Sequence, residues 1–210
     1  GLEELESIEF PSKEKLTYQE IFLLYNDRII IDRNGMELFA KLSKVTDRFL
    51  DVVYEIKKRG VRIKFFMAGD GELLKTCRER IAREQLPVVT LGWQSDIEKV
   101  LVAADIVVLT SDNEGTPLSL IQAGMAGLPV VTTNVGSVPE VVLDGVTGIL
   151  TNLDVQEIAS ALEKLATDKA LRERLGLAAQ EFTLANFGVQ RLVQDHVELY
   201  KKLLSSPTKF

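Results

Sequence analysis

The chain has 210 residues, of which 46% are hydrophobic and 27% are charged, so it can bury a substantial core and is neither disordered nor fibrous. It has 25 Lys and Arg residues against 31 Asp and Glu residues, and this net charge of -6 argues against nucleic acid as a partner. A single cysteine, Cys77, and a single histidine, His196, exclude an internal disulfide and a His-rich metal site. The chemistry must therefore come from carboxylates, lysines and backbone groups.

No targeting signal stands out. Residues 1–6 are acidic where a signal peptide would be basic, and no apolar run approaches the roughly 18 residues that a membrane span needs. The sequence therefore predicts a cytoplasmic protein.

From about residue 37 onward, short β-rich runs alternate with longer stretches of helical periodicity, which is typical of βαβ units and a parallel sheet. Two runs are nearly continuous in apolar residues, as central strands are. The predicted strands are 37–42, 61–68, 88–91, 106–110, 130–133 and 148–150, and the predicted helices between them include 47–59, 96–103, one ending near 84 and one starting at 116. After residue 154 the apolar spacing is helical to the end of the chain.

Residues 1–36 have a weaker pattern and are assigned to an N-terminal extension or linker. Within them, 18–25 is compatible with a helix and 28–32 with a strand. Residues 37–210 are predicted to form an α/β, Rossmann-like, three-layer αβα domain with a mostly parallel sheet and a helical C-terminal tail.

Ligands of an open parallel sheet bind beyond the carboxyl ends of its strands, where helix N-termini offer unpaired N–H groups and partial positive charge. The segment that follows the strand 106–110 has the right residues for such a site. Thr116 is a suitable N-cap, Pro117 fits the first helical position, and Gly115 leaves the backbone accessible. The sequence therefore predicts an anion-binding loop here.

Two polar side chains accompany this loop. Glu114 lies just outside the helix, and Gln122 lies one turn past Leu118 on the same helical row, so a carboxylate and an amide can converge on one ligand. The structural alternative is that Glu114 caps the loop and Gln122 bonds to backbone. Their joint position after a central strand favours a binding site.

Weaker signals lie at the same predicted edge. Gly69 and Gly71 can bring backbone close to a nucleotide, although an ordinary strand-to-helix turn explains two glycines equally well. Trp93 either stacks on a base or packs on the rim of the sheet. Lys41 and Lys44 flank the end of the predicted first strand and either neutralise a diphosphate or are solvated surface residues.

Several segments resemble the C-terminal, donor nucleotide-sugar-binding domain of retaining GT-B glycosyltransferases of the "glycosyl transferase group 1" family. They are 114–123, 127–142 and 144–148, with shorter matches at 68–71, 91–93, 104–106 and 198–204. The resemblance covers about residues 37–204 and implies one half of a GT-B fold. It also implies sugar transfer from a nucleotide-diphosphate sugar with retention, without a bound metal or other cofactor.

The resemblance implies a role for each candidate residue. The helix after Glu114 receives the diphosphate, Glu114 contacts the donor sugar and is the catalytic candidate, and the second acid of the family's Glu-x7-Glu pattern holds the ribose. The donor-binding candidates are then Lys41, Lys44, Gly69, Gly71, Trp93, Gly115, Thr116, Pro117, Leu118 and Gln122.

Three positions depart from the family pattern. The second acid is Gln122, the family's Gly-Arg pair reads Ala40-Lys41, and the expected lysine is Thr46, which leaves Lys44 as a substitute. The alternative to a glycosyltransferase is therefore a degenerate, non-catalytic module for nucleotide binding or protein interaction. A sugar-nucleotide epimerase ranks last, because it needs more acid and base side chains.

The resemblance also implies partners. Family members carry an N-terminal acceptor-binding domain that residues 1–36 cannot supply, so we expect this chain to bind a nucleotide sugar and to be inactive in transfer without that domain. The last helix of the full enzyme usually crosses to the other domain. We therefore expect part of the row Val189, Leu192, Val193 and His196 to be exposed or used in self-association, and peripheral membrane attachment of the full-length enzyme stays open.

Overall fold

The structure, a computed structural model, describes residues 19–24 and 35–205, with side chains described from residue 47 onward. Within these residues, the strands are β1 (Gln19–Leu24), β2 (Ile63–Ala68), β3 (Val88–Gly92), β4 (Ile106–Leu109), β5 (Val130–Thr133) and β6 (Gly148–Thr151). They form one sheet in the order β3-β2-β1-β4-β5-β6, and every neighbouring pair is parallel. The carboxyl ends of all these strands therefore meet at one edge.

The helices run between and after the strands. They are α1 (Gly35–Lys58), α2 (Leu74–Glu84), α3 (Ile97–Val102), α4 (Leu118–Met125), α5 (Val138–Val141), α6 (Val155–Thr167), α7 (Lys169–Phe187) and α8 (Val189–Ser205). The predicted strands and helices from residue 61 onward are confirmed, with boundaries that move by at most two residues.

Two apolar layers cover the sheet. In β2, Phe65 and Met67 pack with α1, α2 and α6 on one face, whereas Phe66 and Ala68 pack with α3, α4 and α5 on the other. This alternation follows from the period of two in a strand. The predicted three-layer αβα architecture is confirmed.

The N-terminal region differs from the sequence prediction. Residues 37–42 lie in α1 rather than in a strand, because Leu38, Leu42, Val45 and Phe49 continue one helical spacing of three and four residues. The additional strand is β1, which lies between β2 and β4, so residues 19–24 are not helical. The sheet therefore draws on the segment 1–36 that was assigned to an extension. The predicted strand at 28–32 lies outside the described residues.

Two glycines bring α4 and α7 into close contact. A Cβ on Gly124 of α4 would collide with the methyl group of Thr183 on α7, and a Cβ on Gly176 of α7 would collide with the carbonyl oxygen of Gly127 just after α4. The absence of a side chain at these two positions therefore sets how closely the two helices pack.

The last helix packs little against the rest of the domain. None of the residues of α8 is buried, and Val189, Leu192 and Val193 are exposed together with His196. The expected exposure of this row is confirmed, and its use in self-association stays a prediction. None of the helices in the described part of the chain is long and apolar enough to cross a membrane.

Candidate functional site at the carboxyl edge of the sheet

The loop 110–117 joins β4 to α4 at the carboxyl edge of the sheet. Pro117 has an extended backbone, with φ of -75° and ψ of 101°, so it is the N-cap and α4 begins at Leu118. The predicted start with Thr116 as N-cap and Pro117 in the first helical position is therefore one residue early. The anion-binding character does not depend on this shift, because the loop still leads directly into a helix N-terminus.

This helix N-terminus is open to solvent. Gly115, Thr116 and Leu118 are exposed, and a Cβ on Gly115 would meet nothing within 4 Å. Within the described part of the chain, no group accepts a hydrogen bond from the backbone N–H of Gly115, Thr116, Leu118 or Ser119. Several free donors thus lie where the helix dipole adds partial positive charge, which suits an anion.

Glu114 is half-buried beside these donors. The Ser111 hydroxyl donates a hydrogen bond of 2.5 Å to Oε1 of Glu114, and the other carboxylate oxygen has no recorded partner among the described residues. The structural alternative, in which the Glu114 carboxylate caps a backbone N–H of its own loop, is therefore not found. One oxygen is held in place and the other is available to a ligand.

Two neighbouring elements fix the backbone of this loop. Arg48 of α1 donates from Nη1 to the Thr110 carbonyl oxygen over 2.8 Å and from Nη2 to Oδ1 of Asp112 over 2.5 Å. The Thr133 hydroxyl at the end of β5 donates to the Ser111 carbonyl oxygen over 2.6 Å. The sequence does not predict these contacts, because an arginine and a threonine carry no local signal for partners 62 and 22 residues away.

The loop after β5 contacts the backbone of Glu114. The Ser137 N–H donates to the Glu114 carbonyl oxygen over 3.2 Å. Gly136 has a φ of +51°, and a Cβ there would collide with that same oxygen. Only glycine fits this position without displacing Glu114.

Gln122 lies on α4 one turn from Leu118, and its side chain is half-buried. Among the described residues its amide makes no side-chain hydrogen bond, so the alternative of a backbone contact is not found. The amide is free to donate to and accept from a ligand hydroxyl.

The loop after β2 supplies the second group of candidates. Gly69 and Gly71 have φ of +134° and +146°, which residues with a side chain rarely adopt. The Gly69 N–H donates to the Gly92 carbonyl oxygen over 2.7 Å, which links the ends of β2 and β3. Trp93, directly after β3, is 69% exposed and therefore does not pack into the core.

The strand order sets the distance between the two groups. β3 and β4 are separated by β2 and β1, so their carboxyl ends lie about 14 Å apart at roughly 4.8 Å per strand. Glu114, Gly115 and Thr116 thus lie in one loop, with Gln122 on the helix that follows it, whereas Gly69, Gly71 and Trp93 lie further along the same edge.

Lys41 and Lys44 lie in α1 rather than beside the end of a strand, and their side chains are outside the described residues. The placement predicted for them is wrong, and their role in binding stays a prediction. Among the residues whose side chains the structure describes, no cluster of three or more His, Cys, Asp or Glu could hold a metal ion.

A family model described as "Glycosyl transferases group 1" matches residues 38–168. N-acetyl-alpha-D-glucosaminyl L-malate synthase of Bacillus anthracis is 26% identical over 182 residues, which are 85% of this chain and 46% of that protein. The putative glycosyltransferase EpsF of Bacillus subtilis is 30% identical over 166 residues, covering 77% of this chain and 41% of that protein. This chain thus spans about half the length of such relatives.

Solved structures show the same fold. HepE of Anabaena in complex with UDP and glucose aligns with a TM-score of 0.73 at 22% identity, over 90% of this chain and 49% of that chain. TarM of S. aureus, in a complex that includes UDP, aligns with a TM-score of 0.72 at 19% identity, over 92% of this chain and 38% of that chain. The chain has the Rossmann-like fold of GT-B glycosyltransferases, and because the family model covers more than half of it, it belongs to the glycosyl transferases group 1 family.

Proposed function

We propose that this chain is the C-terminal, donor-binding half of a glycosyltransferase that transfers a sugar from a nucleotide-diphosphate sugar with retention of configuration. One observation carries the proposal. Free backbone N–H groups at the start of α4 lie beside a half-buried carboxylate, Glu114, in an open loop at the carboxyl edge of the sheet.

The diphosphate binds at the N-terminus of α4 in this proposal. The N–H groups of Gly115, Thr116, Leu118 and Ser119 have no other partner among the described residues, and the side chain missing at Gly115 leaves room for phosphate oxygens. As the bond to the sugar breaks, negative charge grows on the leaving diphosphate, and fixed donors stabilise that charge without reorganising. Lys41 and Lys44 are proposed to add positive charge.

Glu114 contacts the donor sugar, and Gln122 contacts the ribose. Ser111 holds Oε1 of Glu114, so Oε2 remains to accept a hydrogen bond from a sugar hydroxyl. Gln122 bonds a hydroxyl as a neutral amide, which makes that contact weaker than one from a carboxylate. The proposal includes no resident metal or cofactor.

The base lies toward β3. The edge between Trp93 and the start of α4 spans about 14 Å, which suits an extended nucleoside diphosphate. Between the two ends lie the buried Gly69 and the half-buried Gly71, which add no side chain, and the exposed ring of Trp93 offers a stacking surface. The relatives' complexes with UDP support a nucleotide here, whereas the base bound by this chain is open.

The remaining half of the enzyme supplies the acceptor site. The chain matches about half the length of its relatives, and the exposed apolar residues of α8 form a surface suited to contact the other half or a second copy. We place the enzyme in the cytoplasm, with peripheral attachment to a membrane open.

Calorimetric titration of the 210-residue chain with UDP, GDP and ADP tests donor binding. Saturable binding at millimolar affinity or tighter is expected with one of them, and Lys41→Ala should weaken it. Glu114→Ala should weaken binding of the matching sugar nucleotide. The matched control is Glu181→Gln, an exposed carboxylate on α7, which should leave affinity unchanged. Absence of binding to all three would support the non-catalytic alternative.

A transfer assay tests the requirement for the second half. The purified chain with a sugar nucleotide and an acceptor should release nucleotide no faster than a blank without protein. Sugar transfer by the 210 residues alone would overturn this part of the proposal.

A further inference from the structure

Arg48 lies on α1, outside the loop 110–117, and yet it holds that loop at two points. Its guanidinium donates to the Thr110 carbonyl oxygen over 2.8 Å and to the Asp112 carboxylate over 2.5 Å. The side chains of the pair are 14% and 24% exposed, so water screens them less than an ordinary surface ion pair.

The two acceptors require an arginine. A backbone carbonyl and a carboxylate two residues further on are reached together because the planar guanidinium carries several donors in a fixed fork. A lysine ammonium is a single point charge, and it would hold the carboxylate at the expense of the carbonyl.

The residue between these two acceptors is Ser111. Its carbonyl oxygen accepts from Thr133 over 2.6 Å, and its hydroxyl donates to Oε1 of Glu114 over 2.5 Å. With Thr110 and Asp112 both held by Arg48, the backbone of Ser111 cannot rotate freely, so the position of its Cβ is fixed, and the hydrogen bond to Glu114 sets the direction of its hydroxyl. The chain of contacts from Arg48 thus ends at the Glu114 carboxylate.

We propose that Arg48 is a positioning residue: paired with Asp112, it fixes Ser111 and thereby aims Glu114 at the sugar of the donor. The part that concerns the sugar rests on the proposed function, whereas the hold on the loop does not. Arg48 acts through other residues and touches no donor atom in this inference.

Arg59, the residue directly after α1, provides the matched control, because its guanidinium also binds two partners. It pairs with Glu55 and with Glu163 of α6, each at 3.1 Å, and its side chain is 21% exposed. It lies three turns from Arg48 and makes no recorded contact with the loop. A purely structural role for Arg48 predicts the same outcome for Arg48→Ala and Arg59→Ala.

The test compares sugar-nucleotide and nucleotide affinities by calorimetry. The probe is whichever of UDP-glucose, GDP-mannose and ADP-glucose the unaltered chain binds, together with the matching nucleoside diphosphate. Arg48→Ala and Asp112→Ala are expected to lower the affinity for the sugar nucleotide about tenfold or more and that for the diphosphate less. Arg48→Lys should fall between, and Arg59→Ala should change neither affinity by more than about twofold.

Amide hydrogen exchange measures how firmly the loop 110–117 is held in the absence of a ligand. The Ser137 N–H bonds to the Glu114 carbonyl oxygen, so its exchange should speed up at least about fivefold in Arg48→Ala and stay unchanged in Arg59→Ala. Equal exchange in both variants overturns the positioning role. If no probe binds the unaltered chain, the proposed function fails, and the exchange result still decides whether Arg48 holds the loop.

Discussion

The loop after β4 and the loop after β2 lie at the same edge of the sheet and are built differently. The first is held by side chains and backbone from α1, β5 and the segment after β5. The second is held by a backbone bond from Gly69 to Gly92 and by the Asp70 side chain, which accepts from the Gly71 N–H over 2.8 Å. One loop fixes a carboxylate, and the other is a glycine turn without a side chain at Gly69 or Gly71.

This difference suits two tasks. Bond breaking needs a carboxylate within a fraction of an ångström of its place, which requires outside supports. Binding the rest of a nucleotide needs close backbone approach, which glycine supplies through its range of φ. Substitutions in each loop should therefore have different consequences.

Gly136→Ala should have the largest effect. The new Cβ would collide with the Glu114 carbonyl oxygen, and φ there is +51°, so we expect a loss of about 2–4 kcal/mol in unfolding free energy together with loss of sugar-nucleotide binding. Denaturant unfolding and calorimetry measure the two. Gly145→Ala, at a φ of +69° in open space, is the control and should cost only about 1 kcal/mol. Equal costs would show that the collision is relieved cheaply.

Gly71→Ala tests the other loop. Its φ of +146° is strained for alanine, so the unfolding free energy should fall by about 1–2 kcal/mol. Affinities for nucleotide and sugar nucleotide should fall together, because the supports of Glu114 are untouched. A selective loss of sugar-nucleotide affinity would remove the distinction between the loops.

Trp93→Ala should leave stability within about 0.5 kcal/mol, since the side chain is 69% exposed. Nucleoside diphosphate affinity should fall by about 1–3 kcal/mol if the base stacks on the ring, and Trp93→Phe should retain most of it. The chain has one tryptophan, so nucleotide should also quench its fluorescence. Unchanged fluorescence and affinity would place the base elsewhere.

The reactivity of the Cys77 thiol measures how readily α2, the helix that follows the loop after β2, opens. Burial, with a smaller contribution from Asp47, raises the pKa of the Cys77 thiol to about 11 from 9.0. The thiol should therefore react slowly with a disulfide reagent at pH 8, and Gly71→Ala should speed the reaction while Arg48→Ala does not. A fast reaction in the unaltered chain would show that α2 opens readily.

The same pKa shift has a consequence for stability. In the unfolded chain the thiol loses its proton first, so its contribution to the unfolding free energy is complete below about pH 9 and decreases as the pH rises toward 11. Cys77→Ala should lack this component, which unfolding curves of both proteins at several pH values would isolate.

Much of the fold follows from local patterns. The apolar runs of β2 and β4 are compatible only with buried strands, and the spacing after residue 154 only with helices. The sheet and the layers could therefore be predicted. The segment 37–42 is compatible with either a strand or a helix, because its residue types favour a strand while their spacing continues the helical pattern of α1. Local preference cannot decide between these, since the choice depends on which segment completes the sheet.

The site divides in the same way. The local sequence predicts a loop and a helix start at Glu114, Gly115 and Thr116. The contacts of Arg48, Thr133 and Gly136, by contrast, are with partners far along the chain. A guanidinium that reaches across 62 positions depends on tertiary geometry. The sequence thus predicts the groups that are proposed to meet the donor, and it carries no signal for the groups that hold them.

The glycine contacts between α4 and α7 pack these two helices closely against each other. The helix that begins at the proposed nucleotide site therefore packs directly against α7, and α7 leads through Gly188 into α8, where the rest of the enzyme is proposed to dock.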